Sequence, residues 1–146
     1  MKAKRDSSVC PCGGITQGAS YAACCQPYIE GRAQAPSAEH LMRSRYTAYA
    51  MGNAAYVLAT WHTSTRPAEL VLDPPGTPHT MRWLALIVHS HTRLTDTRAQ
   101  VMFTAKYREG GRAQRIKEHS RFVLEDGQWF YVDGDVDFQT APPDVP

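Results

Sequence analysis

The sequence predicts an α+β fold: a cysteine-rich segment first, helices next, and a meander of four antiparallel strands last. Three observations carry this reading. Four cysteines, Cys10, Cys12, Cys24 and Cys25, crowd into sixteen positions near the start. Behind them lies a stretch with helical spacing and helix caps. From Arg82 the hydrophobic period changes to two, punctuated by Gly110-Gly111 and Asp126-Gly127. At 146 residues and 42% hydrophobic content, the chain has room for one modest core plus an appendage.

The cysteine segment runs Cys10-Pro11-Cys12-Gly13-Gly14, then a loop, then Cys24-Cys25. Two close pairs of soft ligands joined by a loop supply a tetrahedral site economically, and one structural zinc ion is the expectation. Pro11 presets a backbone angle between the first two ligands, and Gly13 and Gly14 let amides approach sulfur. The segment has too few apolar residues to pack a core alone, so a metal would supply folding free energy. The competing readings are buried thiols or a Cys24–Cys25 redox pair. Four thiols among Gly, Ser and Gln are hard to explain by packing, and an adjacent-residue disulfide would be strained. With all four ligands from protein, the ion would be scaffold rather than catalyst.

In the next stretch, Ser37 after Pro36 is a good N-cap, and Met42, Tyr46, Tyr49 and Ala50 fall on one helical face that Gly52 closes. Asn53 can cap a second, short helix over residues 54–60, with Tyr56 and Trp61 facing the same core. Residues 63–80 hold Pro67, Pro74, Pro75, Gly76 and Pro78 and read as a long connection. The strand from Arg82 is apolar on both faces, with Trp83, Ala85 and Ile87 alternating with Leu84, Leu86 and Val88, which predicts a central or covered position. A strand through Val101, Phe103, Ala105 and Tyr107 follows, then residues 114–125. Asp126-Gly127 is a two-residue hairpin turn into residues 128–133.

The formal charge of +2 is too weak to point to nucleic acid, and thiolate coordination of a dication would bring the protein close to neutral. Lys106, Arg108, Arg112, Arg115, Lys117 and Arg121 make the central hairpin basic, as a solvated sheet edge guarded against aggregation often is. His89 and His91, two apart on one strand, read as solvent-facing. Residues 1–9 are charged without a secretory apolar run, and no stretch approaches the length of a membrane span. A soluble cytoplasmic protein is expected, with no membrane partner.

Residues 10–28, CPCGGITQGASYAACCQPY, resemble the SEC-C motif, the small zinc-binding segment known from the end of the SecA translocase ATPase. Residues 38–49 (AEHLMRSRYTAY), Thr60-Trp61-His62, Trp83-Leu84 and residues 118–134 (EHSRFVLEDGQWFYVDG) look like the YchJ-type family of uncharacterised bacterial proteins. The resemblance covers most of the chain. It implies zinc on the four cysteines and a body like nuclear transport factor 2, a cone of helices against a curved antiparallel sheet. The implied organisation is a knuckle over residues 1–30, a body over 31–140 and a flexible tail over 141–146.

Counting back from the Asp126-Gly127 turn, Leu124 opposes Trp129, Phe122 opposes Tyr131 and Ser120 opposes Asp133, with Glu118 farther along the same face. An aromatic surface ending in two carboxylates is how the polar end of a pocket is built. The expected pocket comprises Arg45, Tyr46, Tyr49, Trp61, His62, Trp83, Glu118, Tyr131 and Asp133. The favoured reading of the two carboxylates is that Glu118 and Asp133 are framework salt-bridge partners of Arg43 or Arg45, and that of His62 is a cap or hydrogen-bonded framework group at a helix end.

No nucleophile–base pair, phosphate loop or cofactor motif is present, so an enzyme is not the first expectation. That expectation is a zinc-binding adaptor whose knuckle meets a protein or ribosomal partner. The alternative is a small-molecule binder or a non-redox, isomerase- or dehydratase-like enzyme in the cone.

Overall fold

The computed structural model describes residues 8–73 and 81–140; the expected tail over 141–146 and part of the expected connection over 63–80 lie outside them. The described chain is α+β. A cysteine-rich knuckle closes through a Val9–Ser20 bridge and leads into the short helix α1 (Gln26–Ile29). Helices α2 (Ala38–Met51) and α3 (Ala54–Ala59) follow. Strands β1 (Arg82–Thr95), β2 (Arg98–Glu109), β3 (Arg112–Glu125) and β4 (Gln128–Thr140) then form one antiparallel sheet in sequence order. Among the described residues no helix is long and apolar enough to cross a membrane.

Helix α2 forms where its caps dictate. The Ser37 side chain accepts from the His40 amide, Glu39 sits in the first turn, and Gly52 ends the helix in the left-handed region. Asn53 caps α3 in the same way. Helix α2 is buried on more sides than the apolar face of Met42, Tyr46, Tyr49 and Ala50 implies: Ser44, Arg45, Thr47 and Ala48 are buried as well. Three neighbours cause this. The knuckle meets Thr47, α3 meets Ser44 through the Tyr56 hydroxyl (2.7 Å), and the sheet meets Tyr46 through Trp83 (ring centroids 5.6 Å).

The sheet departs from expectation in three places. Strand β1 lies at the edge rather than in the centre, with Leu84 45% and Ile87 41% exposed. Its pairing slips between Trp83 and Ala85 and again between Val88 and Ser90, and each bulge re-aims the side chains that follow. The second slip also separates the two histidines: His89 bonds Thr104 on the outer face (2.7 Å), while His91 approaches Glu39 of α2 (3.9 Å). Third, β4 runs on to Thr140, well beyond the expected end at Asp133, and it carries a bulge opposite Arg121 and Phe122. The turn behaves as its residues require, with Asp126 and Gly127 both at positive φ (54° and 79°).

The core is continuous from knuckle to sheet. The four cysteines pack in one apolar cluster with Leu41, Met42 and Tyr46 of α2, and with Val101, Phe103, Phe122 and Trp129 of the sheet.

Candidate functional site

Two sites emerge, both resting on α2. The first is the cysteine cluster. All four sulfurs are buried and lie within 4.8 Å of one another. Cys12 and Cys24 are 3.6 Å apart, and Cys25 lies 3.8 Å from each of them. Disulfide sulfurs would sit at about 2.05 Å, so none of these pairs is bonded. A tetrahedron of sulfurs about 2.3 Å from a central ion has edges of about 3.8 Å, the spacing of these three pairs, and Cys10 joins them within 4.8 Å.

The surroundings suit thiolates. The Gly14 and Ile15 amides donate to Cys12 and Cys24 (3.3 Å each), and Thr47 Oγ1 donates to Cys25 (3.3 Å) and lies 3.6 Å from Cys10. Gly14 cannot be replaced without strain: its φ is 95°, and an added Cβ would lie 2.3 Å from the Thr16 carbonyl oxygen. Thiolates packed this closely oppose one another's ionisation. Hydrogen bonds, first from Cys12, drive the Cys10 thiol far down, and the same network, led by Cys10, drives Cys25 far up. A dication removes that conflict by holding all four as thiolates. The donor set, its spacing and its amide donors therefore fit a bound metal ion.

The second site is a cavity of about 460 Å³ between α2 and the inner face of the sheet. Tyr46 and Tyr49 pack on Trp83, and Trp61 meets Tyr131 edge to face. Met42, Phe103, Ile116 and Phe122 complete the apolar wall, and Val71, Leu72, Asp73 and Met81 also line it. At its polar end, beside Tyr131, stand Arg45 and Glu118. Arg45 is 6% exposed, bonds the Val57 carbonyl and Thr60 Oγ1 (2.8 Å each), and stacks over Trp61 and Tyr131. Glu118 Oε2 accepts from the Tyr131 hydroxyl (2.7 Å) and the Ser120 hydroxyl (2.9 Å). Burial and the neighbouring Glu118 carboxylate push the Tyr131 phenol well above its ordinary range, so it stays a donor.

Of the expected pocket residues, Arg45, Tyr46, Tyr49, Trp61, Trp83, Glu118 and Tyr131 line this cavity, whereas His62 and Asp133 lie elsewhere. The β4 bulge puts Gly134, not Asp133, opposite Ser120, and turns Asp133 outward to pair with Arg121 (2.6 Å). His62 braces the chain beside β4: its amide bonds the Tyr131 carbonyl, and its ring meets Ser64 (2.7 Å) and Glu125 (3.2 Å). Neither carboxylate forms the expected framework pair with Arg43 or Arg45; Arg43 instead pairs with Glu39 and donates to the Cys12 carbonyl. Gly134 was not legible as a site residue, although a Cβ there would lie 2.2 Å from Glu118 Oε2. Its only sequence signal is a glycine inside a strand.

The family model described as the YchJ middle NTF2-like domain matches residues 37–134. The chain belongs to the YchJ family. Its YchJ relatives include a UPF0225 protein of Cupriavidus pinatubonensis, 52% identical over 87% of each chain. Another, from Xanthomonas campestris, is 49% identical over 91% of this chain and 98% of its own. Two solved structures share the architecture. The solution structure of a SEC-C motif containing protein from Rhodopseudomonas palustris matches with TM-score 0.73 and 31% identity, over 87% of this chain and 97% of that one. The crystal structure of a SEC-C motif containing protein from Psychrobacter arcticus matches with TM-score 0.71 and 25% identity, over 94% and 88%. The YchJ domain thus carries the cavity, and the cysteine knuckle precedes it.

Proposed function

We propose that the protein is a zinc-stabilised receptor for a small molecule held in the cavity of its NTF2-like body. The observation that carries this reading is the oriented carboxylate of Glu118 at the polar end of an open, aromatic-walled cavity. Protein interiors pack with few voids larger than a water molecule, so a purely structural core would have filled this space. Pockets of this size, apolar with a few placed polar groups, are what small ligands use.

Zinc is the ion this reading assigns: four close soft thiolates favour it over harder ions, and the SEC-C motif named in the two structural neighbours supports it. Cys10, Cys12, Cys24 and Cys25 would hold it with no open coordination position, so its contribution is to folding. Docking of a protein or ribosomal partner on the knuckle, which the motif by itself suggests, draws less support. The sulfurs face Thr47 and the core, as a brace does.

The test has two parts. The purified protein should hold one equivalent of zinc, lost on joint Cys12→Ser and Cys24→Ser substitution. In NMR spectra, a library of small aromatic fragments should shift the indole N–H signals of Trp61 and Trp83 while sparing Trp129, which does not line the cavity. Retention of one equivalent in the double variant would sink the metal assignment. Indole signals unmoved by every fragment would sink the receptor assignment.

A further inference from the structure

Resting on the reading of the cavity as a ligand site, we infer that its ligand is an uncharged, largely apolar molecule bearing one hydroxyl or N–H group, donated to Glu118 Oε1.

The charges at the polar end come first. Arg45 and Glu118 flank Tyr131: the guanidinium lies 4.5 Å from its ring centroid, and the phenol hydroxyl bonds the carboxylate. Among the described residues no carboxylate pairs directly with Arg45 and no cation with Glu118. The two charges balance each other across one aromatic ring. An anionic ligand would bring a second negative charge beside Glu118, and Arg45, 6% exposed and already bonded to the Val57 carbonyl and Thr60 Oγ1, offers it little access. A cationic ligand would add a second positive charge near Arg45. Either leaves a surplus charge against an aromatic wall, which is costly. Asp73, the other carboxylate on the lining, is itself engaged.

Hydrogen-bonding capacity narrows the class further. Oε2 of Glu118 already takes two hydroxyls, whereas Oε1 has no donor among the described residues although the residue lines the cavity. An acceptor-only ligand would leave Oε1 dehydrated and unpaired; a donor satisfies it. The carboxylate packs against Gly134, where an added Cβ would meet Oε2, Cδ and Cγ first, so Oε2 rather than Oε1 is the oxygen nearest the strand. Around it, Tyr46, Tyr49, Trp83 and Phe103 offer ring surface to an apolar body.

Three ligands of one shape separate the cases: 2-naphthol, 2-naphthoate and 2-naphthylmethylammonium, titrated into the full zinc-loaded chain and followed by NMR shifts of the cavity residues. The naphthol should bind at least about tenfold more tightly than either ion, and Glu118→Gln should weaken it by about tenfold, since a neutral acceptor forms a weaker bond than a carboxylate. Should that variant fail to fold, Tyr131→Phe, which frees the carboxylate while keeping the ring, should weaken naphthol in the same sense. If either ion binds as tightly as naphthol, or the variants leave naphthol unaffected, the inference is overturned while the cavity remains a ligand site. If none of the three shifts the cavity residues, and the fragment library does not either, the receptor reading fails and takes this inference with it.

Discussion

Glu118 owes its place to a residue with no side chain. Gly134 lies directly across from Ser120, and a Cβ built on it would approach the Glu118 Oε2, Cδ and Cγ atoms at 2.2, 2.9 and 3.0 Å. Gly134→Ala should therefore unseat the carboxylate and break its bonds to Tyr131 and Ser120. The expected cost is about 1–3 kcal/mol of stability, as for other overpacked sites, together with weakened naphthol binding. Denaturant unfolding and the ligand titration check the two halves; a variant that keeps wild-type stability and affinity would show that Glu118 needs no such seat. Sequence reading reached Glu118 through the alternation of β3, yet it placed Asp133 beside it. One unseen bulge moved every later β4 residue to the opposite face, because the side-chain period of a strand is two.

At the scale of elements, α2 serves both sites. Thr47 and Arg43 reach the knuckle, while Met42, Arg45, Tyr46 and Tyr49 line the cavity. Its first turn holds a titratable cap contact, Ser37 Oγ with His40 Nδ1 at 2.7 Å. Burial holds the His40 imidazole below the ordinary histidine range; Glu39 partly opposes this, and His91 and Arg43 reinforce it. A histidine whose folded pKa is depressed binds its proton more weakly than in the unfolded chain. Stability is therefore full above the unfolded pKa of about 6.5 and declines as pH falls through it. NMR titration of the His40 ring should give a midpoint below the ordinary value, and His40→Gln should reduce the loss of melting temperature between about pH 7.5 and 5.5. A midpoint above the ordinary value would contradict the assignment. The helices were legible because Ser37, Gly52 and Asn53 act locally. The place of β1 was not, since a strand apolar on both faces can be central or be a bulged edge.

For the molecule as a whole, the knuckle and the body share one core, so metal loss should be felt throughout. Chelation of the zinc-loaded protein at neutral pH should lower the temperature of a single cooperative unfolding transition seen by both far-ultraviolet circular dichroism and Trp fluorescence. A drop exceeding about 10 °C is expected, since about 1 kcal/mol corresponds to roughly 3 °C in a chain of this size and structural zinc supplies several kcal/mol. If chelation loosened only the knuckle and left the sheet's transition in place, the continuous cluster joining the cysteines to Met42, Phe103 and Trp129 would not be cooperative. Buried Thr47 adds one polar link to this coupling, donating from α2 to the Cys25 sulfur.

The sequence by itself determined the α+β class, the two capped helices, the Asp126-Gly127 turn, the four cysteine positions and the resemblance that the family match upholds. These rest on local chemistry: a cap, a positive φ or a ligand pair acts within a few residues. The tertiary structure alone decided that the sulfurs meet at tetrahedral spacing, that β1 is an edge, and that Asp133 leaves the cavity while Gly134 seats Glu118. Those outcomes depend on strand register and on packing between distant segments. A single bulge changes them without leaving a mark in composition or period.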